Sequence, residues 1–435
     1  MVGARRRAPV GKGRVAMARG AGGARTVLFV ESKSDEKRFL FLAARRLGLR
    51  VALLKREPVT WERELVDDVL PRAGEDAAAV LAQARAYAAA CAACHPVAAV
   101  IAFLERYVEL GAAVGRSLGV PALSAEAARA ARDKLLMRQR LAAAGLPQPR
   151  FFLVGSGADA RRAAADVGGP VVVKPRAGWA SLSVVRADDP LAAGAAYLEV
   201  AAVCQAKFGT SQVLVEEYVA GAELSVELVR AAGRTHLLSI TDKPLPMTGP
   251  AFMELEHVTP SQHPVPLQDE VRRLAVLTLD ALGIDVGAAH VEMRLGPDGP
   301  RLVEAAARPG GNRIPDLVRL SRGADMGEMV LRAHLGEPAA EVPSAVAAAG
   351  IRFLLFPRSG VLRRAAGLDE VRAWPGVVEA ECYFAPGAEV TAPSDRLPRS
   401  QYYLYAGHVL AVGAAAGAVH HMLDEAARAV RLEVE

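Results

Sequence analysis

The stretch that decides the fold covers residues 290–312 and reads HVEMRLGPDGPRLVEAAARPGGN. Two apolar runs flank the turn signal GPDGP, so the pattern predicts an antiparallel pair of strands. Each strand carries one glutamate among apolar neighbours, Glu292 in the first and Glu304 in the second. A buried carboxylate is costly unless a cation compensates it, and Mg²⁺ on a polyphosphate takes one or two protein carboxylates. The pair therefore indicates a metal site. The alternative on these residues alone is two ordinary ion pairs with Arg294 and Arg308.

Two segments upstream have the composition of a nucleotide site. Residues 171–184 read VVVKPRAGWASLSV, an apolar run that ends in Lys174 and a loop of small residues that contains Ser181. Backbone N–H groups of such a loop can approach phosphates, and the lysine adds a point charge, although the spacing is not that of a Walker A loop. Residues 213–227 read VLVEEYVAGAELSVE, a strand, a turn and a second strand. Such a hinge offers backbone groups to an adenine edge, and Glu223 can accept bonds from ribose hydroxyls.

In this order and spacing the motifs resemble the ATP-grasp superfamily over residues 95–325. The resemblance implies an ATP-grasp fold, with ATP as substrate and Mg²⁺ as metal, and with Mn²⁺ as an alternative ion. It implies Glu292 and Glu304 as metal ligands, and Arg308 as the arginine that steadies the transferring phosphoryl group. The residues implied for ATP are Lys134, Lys174 and Lys243 at the phosphates, Ser181 in the loop over them, Glu216, Glu217 and Val219 at the adenine hinge, and Glu223 at the ribose.

Two positions depart from the family pattern. Ala306 stands two residues after the second glutamate, where the family often has asparagine. One of the usual two metal ions is therefore expected to be held more weakly. Ser183 stands in the small-residue loop where glycine is frequent. Neither departure removes a phosphate ligand.

Within the superfamily, the chain resembles the carboxylate–amine ligases that join amino acids, the L-amino acid ligase type. Residues 252–260, FMELEHVTP, resemble that group's substrate loop, in which a glutamate and a histidine three residues later flank the amino acid. The residues that this resemblance implies for substrate binding are Glu105, Glu254, His257, Arg308, Gly311 and Asn312. Ordinary alternatives stay open: a loop histidine at His257, a solvated charge at Glu254, and a continued turn at Asn312.

The activity that the resemblance implies is a two-step ligation. A substrate carboxylate, expected from an amino acid, attacks ATP to give an acyl phosphate, and an amine then forms the amide, with release of ADP and phosphate. Arg308 is the implied catalytic arginine, and His257 is a candidate acceptor of the amine's proton. The expected partners are these small molecules and a second copy of the chain in a homodimer. Three alternatives stay open: a purine-biosynthetic or carboxylase-type enzyme, a ligase with a non-amino-acid nucleophile, and a non-catalytic nucleotide-sensing module.

The charge of the chain argues against a nucleic-acid partner. The formal net charge is +5, but seven of the 53 basic residues and none of the 48 acidic ones lie in residues 1–25, so the body is slightly acidic. No apolar run approaches the length of a membrane span. The motif Cys91-Ala-Ala-Cys94-His95 has haem-attachment spacing, but no export signal accompanies it. With four cysteines and no disulfide framework, we expect a cytoplasmic protein.

The length of 435 residues predicts two or three domains. Strands that alternate with helices predict a mixed α/β and α+β protein. Its parts are a disordered basic leader at 1–24, an N-terminal α/β domain with a doubly wound parallel sheet at 25–120, an ATP-grasp domain at 121–337 and a β-rich C-terminal α+β domain at 338–435. We expect the loops 176–184 and 244–262 to close over the site, and a helix at about 415–428 to end the last domain.

Overall fold

The computed structural model describes residues 24–32, 37–72, 74, 76–179, 181–243, 252–395 and 405–435. The expected leader, apart from residue 24, and the first part of the expected 244–262 loop lie outside these described residues. No helix among them is both long and apolar enough to span a membrane.

The amino-terminal part is a parallel sheet with helices on both faces. Its elements are β1 (Thr26–Val30), α1 (Arg38–Arg46), β2 (Arg50–Lys55), α2 (Thr60–Arg63), β3 (Asp68–Pro71), α3 (Ala77–Cys91), β4 (Val97–Ile101) and α4 (Val108–Ser117). The strand order is β3-β2-β1-β4, all parallel. Alternate residues of β1 pack against α1 on one face and against α3 and α4 on the other. The predicted doubly wound sheet is confirmed, and the carboxyl ends of β1 and β4 lie side by side.

A second, antiparallel sheet follows. Its elements are α5 (Ala125–Arg132), α6 (Lys134–Ala143), β5 (Phe151–Val154), α7 (Gly157–Val167), β6 (Val171–Pro175), β7 (Val185–Ala187), α8 (Pro190–Phe208) and β8 (Val213–Glu217). The strand order is β5-β8-β6-β7. Helices α7 and α8 cover one face through a shared apolar core, which leaves the other face free to form the wall of a cavity.

The third sheet has eight antiparallel strands and holds most of residues 290–312. The elements of this region are β9 (Glu223–Ala231), β10 (Arg234–Lys243), β11 (Glu256–Thr259), α9 (Val265–Leu282), β12 (Gly287–Gly296), β13 (Gly299–Ala306), α10 (Ile314–Arg322) and α11 (Met326–His334). Strands β12 and β13 are the predicted pair, with Glu292 directly opposite Glu304. Part of the expected 244–262 loop is strand β11.

The carboxy-terminal part completes the same sheet. Its elements are β14 (Ala348–Leu355), β15 (Gly360–Ala366), α12 (Leu368–Arg372), β16 (Val377–Cys382), β17 (Glu389–Val390), β18 (Tyr405–Gly413), α13 (Ala416–Ala429) and β19 (Arg431–Val434). The large sheet has the order β13-β12-β9-β10-β11-β14-β18-β16. The β11–β14 pairing therefore carries one sheet across the predicted boundary at residues 337 and 338. The predicted last helix is present, but the four-residue strand β19 follows it and pairs with β15.

Gly221 forms the turn between β8 and β9, where no other residue fits. Its φ is +126°, and a Cβ atom built there would lie 1.9 Å from the carbonyl oxygen of Leu295. The turn brings the end of the small sheet against the β12–β13 hairpin.

We expect Gly221→Ala to lower the free energy of unfolding by about 3 kcal/mol, because the clash with backbone adds to the strain of a positive φ. Gly233→Ala is the matched control, since Gly233 has a φ of +74° but a Cβ atom there would have no heavy atom within 4 Å. Its expected cost is about 1 kcal/mol. Denaturant titration followed by circular dichroism measures both. Equal costs for the two variants would contradict the role assigned to the close approach.

Candidate active site

A cavity of about 540 Å³ lies between the two antiparallel sheets and opens toward the carboxyl ends of β1 and β4. The expected site residues that line it are Glu105, Lys134, Lys174, Ser181, Glu216, Glu217, Val219, Glu223, Glu254, Glu292, Glu304, Arg308, Gly311 and Asn312. Lys243 and His257 are not among the lining residues. The sequence-predicted residues thus come together from widely separated segments, while their individual roles stay predictions.

The two expected metal ligands are held by lysines. Glu292 Oε1 accepts a hydrogen bond from Lys243 Nζ at 2.6 Å and lies 3.0 Å from His290 Nε2. Glu304 Oε1 accepts one from Lys134 Nζ at 2.9 Å. Burial raises the pKa of Glu292, but the charges of Lys243 and His290 outweigh it and hold the pKa well below its usual range. Two carboxylates on neighbouring strands fit a hard divalent cation, so these two residues would hold it.

Behind Glu292 lies a pair that was not predicted from the sequence. Glu227 is fully buried, and its Oε1 lies 2.5 Å from His290 Nδ1. Its Oε2 accepts the Gly310 N–H at 3.2 Å. Burial lowers the pKa of His290, yet Glu227 and Glu292 raise it to about 9. The available signal was a glutamate inside the apolar run LSVELV, which a charged partner has to compensate.

Lys243 lies beneath the cavity wall at the centre of three carboxylates. Its Nζ is 2.6 Å from Glu292 Oε1 and 3.4 Å from Glu223 Oε1, and it also pairs with Glu254. Burial raises the pKa of Glu223 to about 7, with Lys243 opposing this and the nearby carboxylates adding to it. In this structure the ammonium of Lys243 is therefore a counter-ion for carboxylates, and its expected phosphate contact stays a prediction.

In the segment expected to form the adenine hinge, Glu216 is buried between two cations. Lys174 Nζ lies 2.7 Å from Glu216 Oε2, and Arg138 Nε donates to Oε1 at 2.9 Å. Burial raises the pKa of Glu216, but Arg138 and Lys174 lower it to about 2. The sequence did not predict Arg138 as a residue of this site either. Glu217, the next residue, pairs instead with Arg301: its Oε1 lies 3.3 Å from Arg301 Nη1.

The residues expected to bind the substrate lie at the end of the cavity where the amino-terminal part meets residues 307–313, which follow β13. Arg308 Nε donates to Glu105 Oε2 at 2.7 Å, and Arg132 Nη1 donates to Glu105 Oε1 at 3.3 Å. Glu105 follows β4 and lies at the carboxyl edge of the parallel sheet. Asn312 Nδ2 donates to Glu254 Oε2 at 2.5 Å. A carboxylate and an arginine are thus fixed together at this end.

His257 does not lie in a loop over the cavity. It is on β11, its side chain is fully buried, and its ring meets Phe353 edge-on at 6.0 Å. Its Nε2 is 3.3 Å from Glu254 Oε2, within ion-pair distance but outside hydrogen-bond geometry. Because the strand is only four residues long, its sequence shows no strand pattern and resembles a loop. His257 can therefore reach a substrate only through Glu254.

Two protein domain families match parts of the chain. Residues 167–316 match the ATP-grasp domain, and residues 352–435 match the L-amino acid ligase C-terminal domain 2. The fold is similar to the crystal structure of an L-amino acid ligase from Bacillus licheniformis, with a TM-score of 0.75 and 23% identity, covering 95% of this chain and 100% of that one.

Two curated proteins show similarity in sequence. Carnosine synthase 1 of Gallus gallus is 29% identical over 338 residues, which are 72% of this chain and 35% of that protein. Alanine–anticapsin ligase of Bacillus subtilis is 29% identical over 234 residues, which are 49% of each chain. The chain thus spans half or less of the length of these relatives. From the two matched regions, the chain carries an ATP-grasp domain at residues 167–316 and, at residues 352–435, a domain that matches the L-amino acid ligase C-terminal domain 2.

Proposed function

We propose that the chain is an ATP-dependent carboxylate–amine ligase whose acid substrate is an amino acid. It would convert the acid to an acyl phosphate, join that to an amine as an amide, and release ADP and phosphate. The observation that carries the proposal is the facing pair Glu292 and Glu304, which shares one cavity with Lys134, Lys174 and Arg308. Carboxylates for a metal and cations for phosphates are the groups that phosphoryl transfer requires.

In the first step the protein's task is to position charges. Bound Mg²⁺ would neutralise charge on the phosphates. Lys134 and Lys174 would bind phosphate oxygens, and Arg308 would stabilise the charge that develops on the transferring group. The acyl phosphate must then be kept from water, and the cavity walls between the two sheets serve that purpose.

In the second step the amine has to lose a proton. Glu254 lines the cavity and accepts a hydrogen bond from Asn312, so its carboxylate is one of the lining carboxylates that can meet an amine. His257 lies behind it and would act by orienting this carboxylate. It is a positioning residue in this proposal.

We expect His257→Ala to slow amide formation by about tenfold, which is typical of a residue that acts through another group. The dissociation constant for nucleotide should stay unchanged, because His257 lies away from the hinge. Product formation and nucleotide binding are measured in parallel, with His421→Ala as control, since His421 is exposed on α13 and pairs with Glu425. Unchanged ATP turnover and product formation in His257→Ala would remove the residue from the mechanism.

The proposed function is tested by ATP consumption with Mg²⁺ across pooled amino acids, with identification of the released nucleotide. Amino-acid-dependent release of ADP and phosphate is the expected result. Release of AMP and pyrophosphate would mean adenylation and would overturn the acyl-phosphate step. A requirement for bicarbonate would favour the carboxylase-type alternative, and binding of ATP without turnover in any pool would favour a nucleotide-sensing module.

A further inference from the structure

Arg138 on α6 is 1% exposed and is the largest fully buried side chain among the described residues. A guanidinium has five N–H donors, and here every one has an acceptor. Nε and Nη2 each donate to one carboxylate oxygen of Glu216 at 2.9 Å. The remaining acceptors are the carbonyl oxygens of Val303 at 2.6 Å and Leu302 at 3.1 Å, and Gln148 Oε1 at 3.4 Å. Such saturation fixes the orientation of the fork.

These contacts join the two sheets that enclose the cavity. Glu216 belongs to β8 of the four-stranded sheet, whereas residues 302–303 belong to β13 of the eight-stranded sheet. Lys134 lies four residues before Arg138 on α6, so both face the same side of the helix. Lys134 reaches Glu304, the residue that follows the two carbonyl groups. One helix therefore holds both the backbone and the carboxylate of β13.

The position of Lys174 depends on the same carboxylate. Its Nζ lies 2.7 Å from Glu216 Oε2, and it is 4% exposed. If Glu216 were buried with Lys174 alone, its ionised carboxylate would lack most of its hydrogen-bond donors. The orientation of the carboxylate would then be poorly determined. Arg138 supplies two of the three donors that Glu216 has from these cations.

We propose that Arg138 is a positioning residue for the nucleotide. It fixes Glu216, and through it Lys174, relative to the strand that carries Glu304. The expected phosphate-binding lysine and the expected metal-binding carboxylate are thereby held at the separation that one bound nucleotide has to span. The inference rests on the proposed function, but it concerns nucleotide binding, which can be measured without any amino acid substrate.

The test uses Arg138→Lys, which keeps the positive charge and loses the fork that reaches a carboxylate and two carbonyl groups together. We expect the dissociation constant for a non-hydrolysable ATP analogue with Mg²⁺ to rise at least tenfold, about 1.4 kcal/mol. KM for ATP should rise while KM for the amino acid stays unchanged. Arg140→Lys on the same helix is the control, because Arg140 Nη1 donates to the Leu282 carbonyl at 3.1 Å, away from the cavity.

A merely structural role predicts a different pattern. If Arg138→Lys lowers Tm but leaves nucleotide affinity and both KM values unchanged, the inference is overturned. If Arg138→Lys does not fold, Arg138→Gln keeps an amide donor for the β13 carbonyls and is measured in the same way. A wild-type chain that binds no nucleotide would overturn the proposed function and this inference together. A wild type that binds nucleotide, with Arg138→Lys binding equally well, would overturn this inference alone.

Discussion

Replacing Arg308 with methionine is expected to lower kcat for ATP-dependent ligation by about a thousandfold, the loss typical of a cation that stabilises charge in the transition state. Nucleotide affinity should change little, since the lysines and the hinge remain. Steady-state kinetics and nucleotide binding by calorimetry together separate the two effects. A loss confined to nucleotide affinity would assign Arg308 to ground-state binding instead.

The same arginine also compensates a buried charge. Glu105 is 6% exposed, and burial raises its pKa while Arg308 and Arg132 lower it below the usual value. In Arg308→Met, the buried carboxylate of Glu105 keeps Arg132 as an ion-pair partner but loses Arg308. The resulting loss of stability has to be measured separately, by thermal unfolding. Arg308→Lys keeps a charge near Glu105 and should recover stability but not kcat. Arg319→Met, at a largely exposed arginine that pairs with Asp316, is the control for substitution on the following helix.

Local pattern was sufficient for the part of the site that lies within single strands and turns. The turn between the two apolar runs predicted the β12–β13 hairpin, and in the structure its two glutamates, Glu292 and Glu304, are paired across the strands. The parallel sheet followed from strands that alternate with helices, because a parallel pair needs a crossover connection. In both cases the deciding contacts are close in sequence or follow a fixed period.

The parts that could not be predicted depend on contacts between distant segments. Arg138 and Glu216 are 78 residues apart, and Glu227 and His290 are 63 apart. A single buried charge in an apolar run shows that a partner is needed but does not identify it. His257 was expected to flank the substrate because residues 252–260 resemble a substrate loop, and β11 is too short to show the alternating pattern that would have indicated a strand. The continuity of the large sheet across residues 337 and 338 likewise depends on the β11–β14 pairing.

Replacing Glu304 with glutamine is expected to reduce ligation by about a thousandfold at a fixed low Mg²⁺ concentration, because loss of one carboxylate removes several kcal/mol of metal-dependent stabilisation. Glu292→Gln should act in the same direction. The amide is nearly the same size, so the strand pairing and the cavity should be preserved. The measurement is a titration of activity against Mg²⁺ and Mn²⁺, together with metal-dependent binding of an ATP analogue.

The metal titration decides between two roles for the carboxylates of Glu292 and Glu304, metal ligation and ion pairing. If they hold a divalent ion, a higher metal concentration should restore part of the activity of each variant. If they serve only as ion-pair partners, Glu304 for Lys134 at 2.9 Å and Glu292 for Lys243 at 2.6 Å, the loss will not depend on the metal. Asp298→Asn is the matched control, since Asp298 lies in the turn of the same hairpin with a side chain that is 76% exposed. The carboxylate of Asp298 carries the same charge but faces solvent, so its removal should leave the metal titration unchanged. A shift seen only in the Glu292 and Glu304 variants is then due to those two facing glutamates.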